Sequence, residues 1–191
     1  MTYKTHIAFA GMIALYPLYE MQTHHLLSSS ELPSVLGALA LGAVAPDIDH
    51  TRSYISNKVP ILPYILSFYT KHRGFTHSAL GALVIALLLY LLHIFTHLKA
   101  LPLSAFWFGY LLHIAGDALT LSGIKNFCCN KSLYLFPKFL RFKTGSPKEL
   151  FFFTLFSAIA GYEYLLFFDH AHMPNLQHLL HKTLHTINSL L

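Results

Sequence analysis

The ionisable side chains of this 191-residue chain that could do chemistry fall in a few short motifs. His6 sits in "YKTHIAFAG", and Asp47, Asp49 and His50 in "APDIDH". His72 and His77 sit in "KHRGFTHS", and His113 with Asp117 in "YLLHIAGDALT". His113 and Asp117 are four positions apart, so a helix projects them from one face about one turn apart, within reach of a single ion. Asp47 and Asp49 on a non-helical turn can supply two oxygens, or one carboxylate that bridges two ions. His72 and His77 add two nitrogens. Mixed imidazole and carboxylate donors suit a divalent transition metal, zinc first and manganese or iron next, better than calcium, which prefers oxygen alone. The candidate metal ligands are therefore His6, Asp47, Asp49, His72, His77, His113 and Asp117. They are enough for two ions roughly 3.5–4 Å apart, an arrangement that polarises a phosphoryl oxygen and activates water. Arg73, beside His72, fits a planar, bidentate phosphate clamp. Thr76 and Ser78 can cap the next helix or fix a histidine tautomer.

Simpler readings compete at each position. A single intramembrane histidine such as His6 can be a packing residue that needs only a hydrogen-bond partner. Asp117 alone could cap a turn or pair with Lys125. His50 reads as a neighbour of the site rather than a ligand. His93 and His97 share the four-residue spacing, but they lie at the other end of their segment and read as interfacial. What favours a common site is that all the motifs sit against the ends of apolar segments. Ionisable groups there are expensive and default to function.

The elements that must position these residues are hydrophobic helices. Hydrophobic residues make up 54% of the chain and charged ones 11%, against about 25% charged in soluble domains. The mean hydropathy is +0.50. A spanning helix needs roughly 20 largely apolar residues, and 79–95, 103–121 and 150–168 approach that length. The segments 6–19 and 33–45 are shorter. The run 59–69, broken by Pro63, reads as a short interfacial segment. The expected fold is all-α, a polytopic membrane helical bundle of about five hydrophobic segments. No basic stretch and cleavage site of a removed signal peptide is evident near the N-terminus.

Charge gives an expected orientation. With the N-terminus in the cytoplasm and five crossings, eleven of the thirteen Lys and Arg residues lie inside, leaving Lys99 and Lys182 outside. That asymmetry is the usual orientation signal, and it places every candidate ligand toward the cytoplasmic face. The net charge of +5 suits anionic membrane lipids as partners, and no nucleic acid is expected. Cys128 and Cys129 are adjacent and fall in the inner loop, where thiols stay reduced. Two units are expected: a membrane-embedded metal-site domain over 1–168, and a His-rich amphipathic C-terminal helix over 169–191. In the latter, Leu176, Leu179, Leu180, Leu184 and Ile187 make one face, with His178, His181 and His185 largely off it.

Together "PDID", "HRGFTHS" and "HIAGDALT", with the "TH" and "AG" near the N-terminus, resemble the YdjM-like family of bacterial inner-membrane proteins, described as metal-dependent hydrolases. The resemblance covers about residues 1–155, and His-Arg-Gly-x-Thr-His-Ser is its most specific part. It implies an inner-membrane location and the seven metal positions named above. Glu149, in "TGSPKE", is a further match that could complete the site. More distantly, a His-x-x-x-Asp helix with added His and Asp resembles zinc-dependent phospholipases C and related nucleases, an analogy that does not fix function. The expected activity is metal-dependent hydrolysis of a phosphoester or related ester in a lipid headgroup, on a phospholipid or polyprenyl-phosphate. Arg73 would hold the anionic oxygen, and Asp49 or Glu149 would take the proton. Two other classes remain: a non-catalytic protein whose metal staples its helices together, and, less favoured, a metal transporter, for which the far halves of the segments offer only His93 and His97.

Overall fold

The computed structural model describes residues 1–49, 56, 74–128 and 131–168. His50, His72, Arg73, Cys129, the expected interfacial segment 59–69 and the C-terminal unit 169–191 lie outside the described residues. Among the described residues the chain is mostly helical, with five α-helices. They are α1 (Tyr3–Thr23), α2 (Leu32–Gly42), α3 (Ala79–Thr96), α4 (Ala100–Asp117) and α5 (Pro147–Phe167). Single-turn 3₁₀ helices follow α2 at Ala45–Asp49 and precede α3 at Phe75–His77.

The helix starts follow from local sequence. Ser78 caps α3 by accepting a hydrogen bond from the Gly81 amide at 3.0 Å, and Ser146 caps α5 through the Glu149 amide at 3.3 Å. Pro147 opens α5 at a position where a missing N–H costs nothing.

An all-α expectation needs one correction. Ile124–Cys128 (β1) and Lys131–Leu133 (β2) form a two-stranded antiparallel hairpin with an irregular register. Strands this short, without an Asn-Gly or Asp-Gly turn, leave little alternation to read. Ile124 anchors the hairpin, fully buried among Ala82, Tyr110, Ile114 and Ala118.

Consecutive helices run antiparallel. Thr2 meets Glu149 at the start of α5, while Tyr19 stacks on Phe167 near the opposite ends of α1 and α5. Lys99 pairs with Glu31 at 2.6 Å where α4 and α2 begin, and Ala43 meets His113 where they finish. Tyr110 donates its hydroxyl to the Thr76 carbonyl just ahead of α3. The start of α1, the end of α2, the start of α3, the end of α4 and the start of α5 therefore gather at one end of the bundle.

The tightest crossing is between α2 and α4. A Cβ at Gly42 would lie 1.9 Å from the Phe106 carbonyl oxygen, and one at Gly109 would lie 2.2 Å from that of Leu39. Only glycine permits backbones this close.

Among the described residues, two helices, α3 and α5, are long and apolar enough to cross a membrane. Leu80, Leu83, Leu87, Leu88 and Phe95 of α3 are all exposed, so the helix turns outward the apolar surface that a soluble protein would bury. α1 and α4 have the length, but Lys4, His6 and Glu20 in α1, and His113 and Asp117 in α4, lower their hydropathy. α2 has 11 residues, about 16 Å of helix at 1.5 Å per residue, short of a hydrocarbon core about 30 Å thick.

Candidate metal centre

At the end where these helix termini gather, His77, His113 and Asp117 are at most 1% exposed, and Asp47 lies beside them. His77 and His113 approach through their Nε2 atoms at 3.2 Å. Asp47 Oδ1 is 3.6 Å from His113 Nε2 and 3.8 Å from His77 Nε2. Asp117 Oδ2 is 3.7 Å from His77 Nε2. Donor atoms of Asp47, His77 and His113 thus converge on one point, with Asp117 Oδ2 beside His77.

The outer nitrogens fix the protons. His113 Nδ1 lies 2.8 Å from the Ala43 carbonyl. A carbonyl can only accept, so Nδ1 carries the hydrogen and Nε2 presents a lone pair. Thr76 gives its hydroxyl proton to Asp49 Oδ2 at 2.6 Å, so its oxygen accepts from His77 Nδ1–H at 3.0 Å. His77 Nε2 therefore presents a lone pair as well. Burial, followed by the nearby charge of His113, pushes the His77 imidazole down to about 4, which keeps it neutral at physiological pH. Two lone pairs facing each other in a buried site repel, and a cation between them would relieve the repulsion.

The donor set fits a divalent ion. Ligands at about 2.0–2.1 Å in a tetrahedron stand about 3.3–3.4 Å apart, close to the separations of 3.2–3.8 Å found here. Two imidazoles and a carboxylate suit zinc, manganese or iron. The hydrogen bonds from His113 to Ala43 and from His77 to Thr76 are the outer partners that orient metal-binding histidines.

His6 adds a flank to this centre. Its ring stacks on His113 with centroids 3.7 Å apart, and its Nε2 is 3.4 Å from Asp117 Oδ1. Neither ring nitrogen has a hydrogen-bond partner among the described residues, although the side chain is buried. His6, His113 and Asp117 make a second possible ligand group overlapping the first, Asp47, His77 and His113. His113 Nε2 has one lone pair and can serve only one ion, whereas Asp117 aims one oxygen at each group. The Met1 amino nitrogen also touches Asp117 Oδ1, at 2.5 Å.

Two carboxylates named from the sequence stand outside both groups. Asp49 is buried and faces Thr76, with its Oδ2 3.8 Å from His77 Nδ1. Glu149 accepts the Thr2 and Gly145 amides, each at 2.6 Å, and so ties the start of α1 to α5. His93, at the far end of α3, bonds the Leu98 carbonyl at 2.6 Å. The Ala43 carbonyl escaped the sequence reading, since a backbone acceptor has no side-chain signature; the small residues at the end of α2 were its one trace.

A family model described as YdjM inner membrane protein matches residues 1–171. The uncharacterized protein YvsG of Bacillus subtilis (strain 168) is 36% identical over 136 residues, which cover 67% of this chain and 77% of YvsG. The inner membrane protein YdjM of Escherichia coli (strain K12) is 28% identical over 125 residues, covering 65% of this chain and 63% of that protein, less than two thirds of it. No solved structure matches the chain.

Proposed function

The chain belongs to the YdjM inner membrane protein family, and from that membership and the paired histidines we propose that it is a membrane-bound, metal-dependent hydrolase of lipid-headgroup phosphoesters. One observation carries the metal reading: the facing Nε2 lone pairs of His77 and His113, 3.2 Å apart, with Asp47 and Asp117 beside them. Asp47, His77 and His113 would hold the ion, with His6 and Asp117 available to another. A divalent ion in such a site supplies Lewis acidity toward a phosphoryl oxygen and lowers the pKa of water.

The side chains supply the rest. Ala43 and the Asp49–Thr76 pair hold the two imidazoles in their ligand tautomers. Asp47 is the open edge, since its side chain is 22% exposed while His77, His113 and Asp117 are at most 1% exposed. An open edge favours catalysis over a purely structural ion, for which protein groups close every position. A headgroup phosphate would arrive at this open edge, beside Asp47. Arg73, outside the described residues, is assigned the phosphate oxygens from its place in the motif. In the same proposal the N-terminus is cytoplasmic and α1, α2 and α4 complete the membrane bundle with α3 and α5.

The test is turnover of a phospholipid and polyprenyl-phosphate panel by full-length protein in detergent, before and after chelation. Ester cleavage that chelation abolishes and metal restores supports the proposal. A metallated protein that cleaves none of the panel supports the structural-ion reading instead.

A further inference from the structure

We infer that the cleft between α1, α2 and α5 binds one acyl chain of an anionic phospholipid, with Lys4 holding its phosphate. α1 packs along α5 and α2 along α4, but α1 and α2 scarcely touch, and the gap between them is a cavity of about 500 Å³. Ile7, Gly11, Leu36, Ala40 and Ala160 line it, and the small residues among them make the room. Lys4, Ile7, Ala8, Gly11 and Leu15 recur at helical spacing, so a single stripe of α1 forms one wall. From Lys4 to Leu15 is about 16 Å of helix at 1.5 Å per residue, close to the roughly 15 Å depth of one leaflet's hydrocarbon.

The polar end matches the length. Lys4 is exposed and makes no hydrogen bond or ion pair with the described residues. It also lines a second cleft of about 480 Å³ with Thr2, Thr5, Ser146, Glu149 and Phe153. The Glu149 carboxylate there is buried and turned to the Thr2 and Gly145 amides, which leaves the ammonium of Lys4 as the charge presented outward. A cation with no partner among the described residues, at one end of a leaflet-deep apolar slot, complements an anionic lipid. This binding holds whether or not the protein cleaves an ester.

The test uses full-length protein in phosphatidylcholine vesicles carrying spin-labelled phosphatidylglycerol or spin-labelled phosphatidylcholine, with the immobilised lipid read by electron paramagnetic resonance. We expect phosphatidylglycerol to be preferred by about fivefold, the worth of one lysine beside anionic lipid. Lys4→Glu, at an exposed position, should remove that preference, and Ala40→Phe should lower immobilisation of both lipids by filling the slot. Melting temperatures near that of the unaltered protein confirm that both variants fold. Equal binding of the two lipids, or a preference that survives Lys4→Glu, overturns the inference. So does immobilised lipid that appears only after residues 169–191 are cleaved off, because the C-terminal segment would then be the occupant.

Discussion

His77 and His113 meet through two unprotonated Nε2 atoms 3.2 Å apart, each held in that tautomer from its far side. The pair comes from a 3₁₀ turn and a helix 36 residues apart in sequence, and ordinary packing has no use for two lone pairs pointed at each other. The converging and the orienting carboxylates should therefore behave differently. Asp47→Ala should lower bound metal, because it removes a converging oxygen. Asp49→Asn, which can still accept from Thr76, should keep the metal stoichiometry. Elemental analysis of the purified variants decides this, and equal loss in both would remove the distinction.

Thr76 transmits the influence of Asp49 to His77. Thr76→Val keeps the shape but loses the hydroxyl, and outer-partner losses of this kind weaken metal affinity by about 10–100-fold. Thr76→Ser should restore it. The readout is competition with a chromogenic chelator, and a valine variant of unchanged affinity would show that the hydroxyl does not orient the ring.

Close approach of α2 and α4 brings the Ala43 carbonyl to His113. Gly109→Ala forces a Cβ against the Leu39 carbonyl. Overpacking of this kind costs about 1–3 kcal/mol, and here it should lower the melting temperature and weaken metal binding together. Thermal unfolding in detergent with parallel metal analysis checks both, and a stable variant with full metal content would uncouple the crossing from the site.

The sequence made some of this legible and hid the rest for physical reasons. The expected segment 79–95 falls within one residue of α3, because Ser78 caps its start and its run is uniformly apolar. The segment 103–121 overran α4, which ends at Asp117. The apolar run continues into a turn, in which the Leu121 amide bonds the Phe142 carbonyl, and hydropathy does not register that change of direction. Asp47 and Asp49 look equivalent in "PDID", yet they share a 3₁₀ turn. Residues two apart on such a turn point about 120° away from each other, so one meets the histidine pair and the other meets Thr76.

The buried His77 also gives the metal-free protein a pH dependence. Its folded pKa of about 4 lies below the ordinary 6.5, so between those values the unfolded chain binds more protons. The stabilising contribution is complete above about 6.5 and is lost as pH falls toward 4. Melting temperatures of chelated protein across that window should rise with pH, and less steeply in His77→Gln. A curve that falls with pH, or an unchanged slope in the variant, would reverse the assignment of a buried neutral imidazole.

The most direct measurement is X-ray absorption at the zinc edge of full-length protein loaded with one equivalent of zinc. Joint ligation by His77 and His113 predicts nitrogen and oxygen scatterers at about 2.0–2.1 Å with outer-shell scattering from two imidazoles, and His113→Ala should fail to hold the ion. A spectrum without histidine scattering, or one that His113→Ala leaves unchanged, would contradict a metal centre built on this pair.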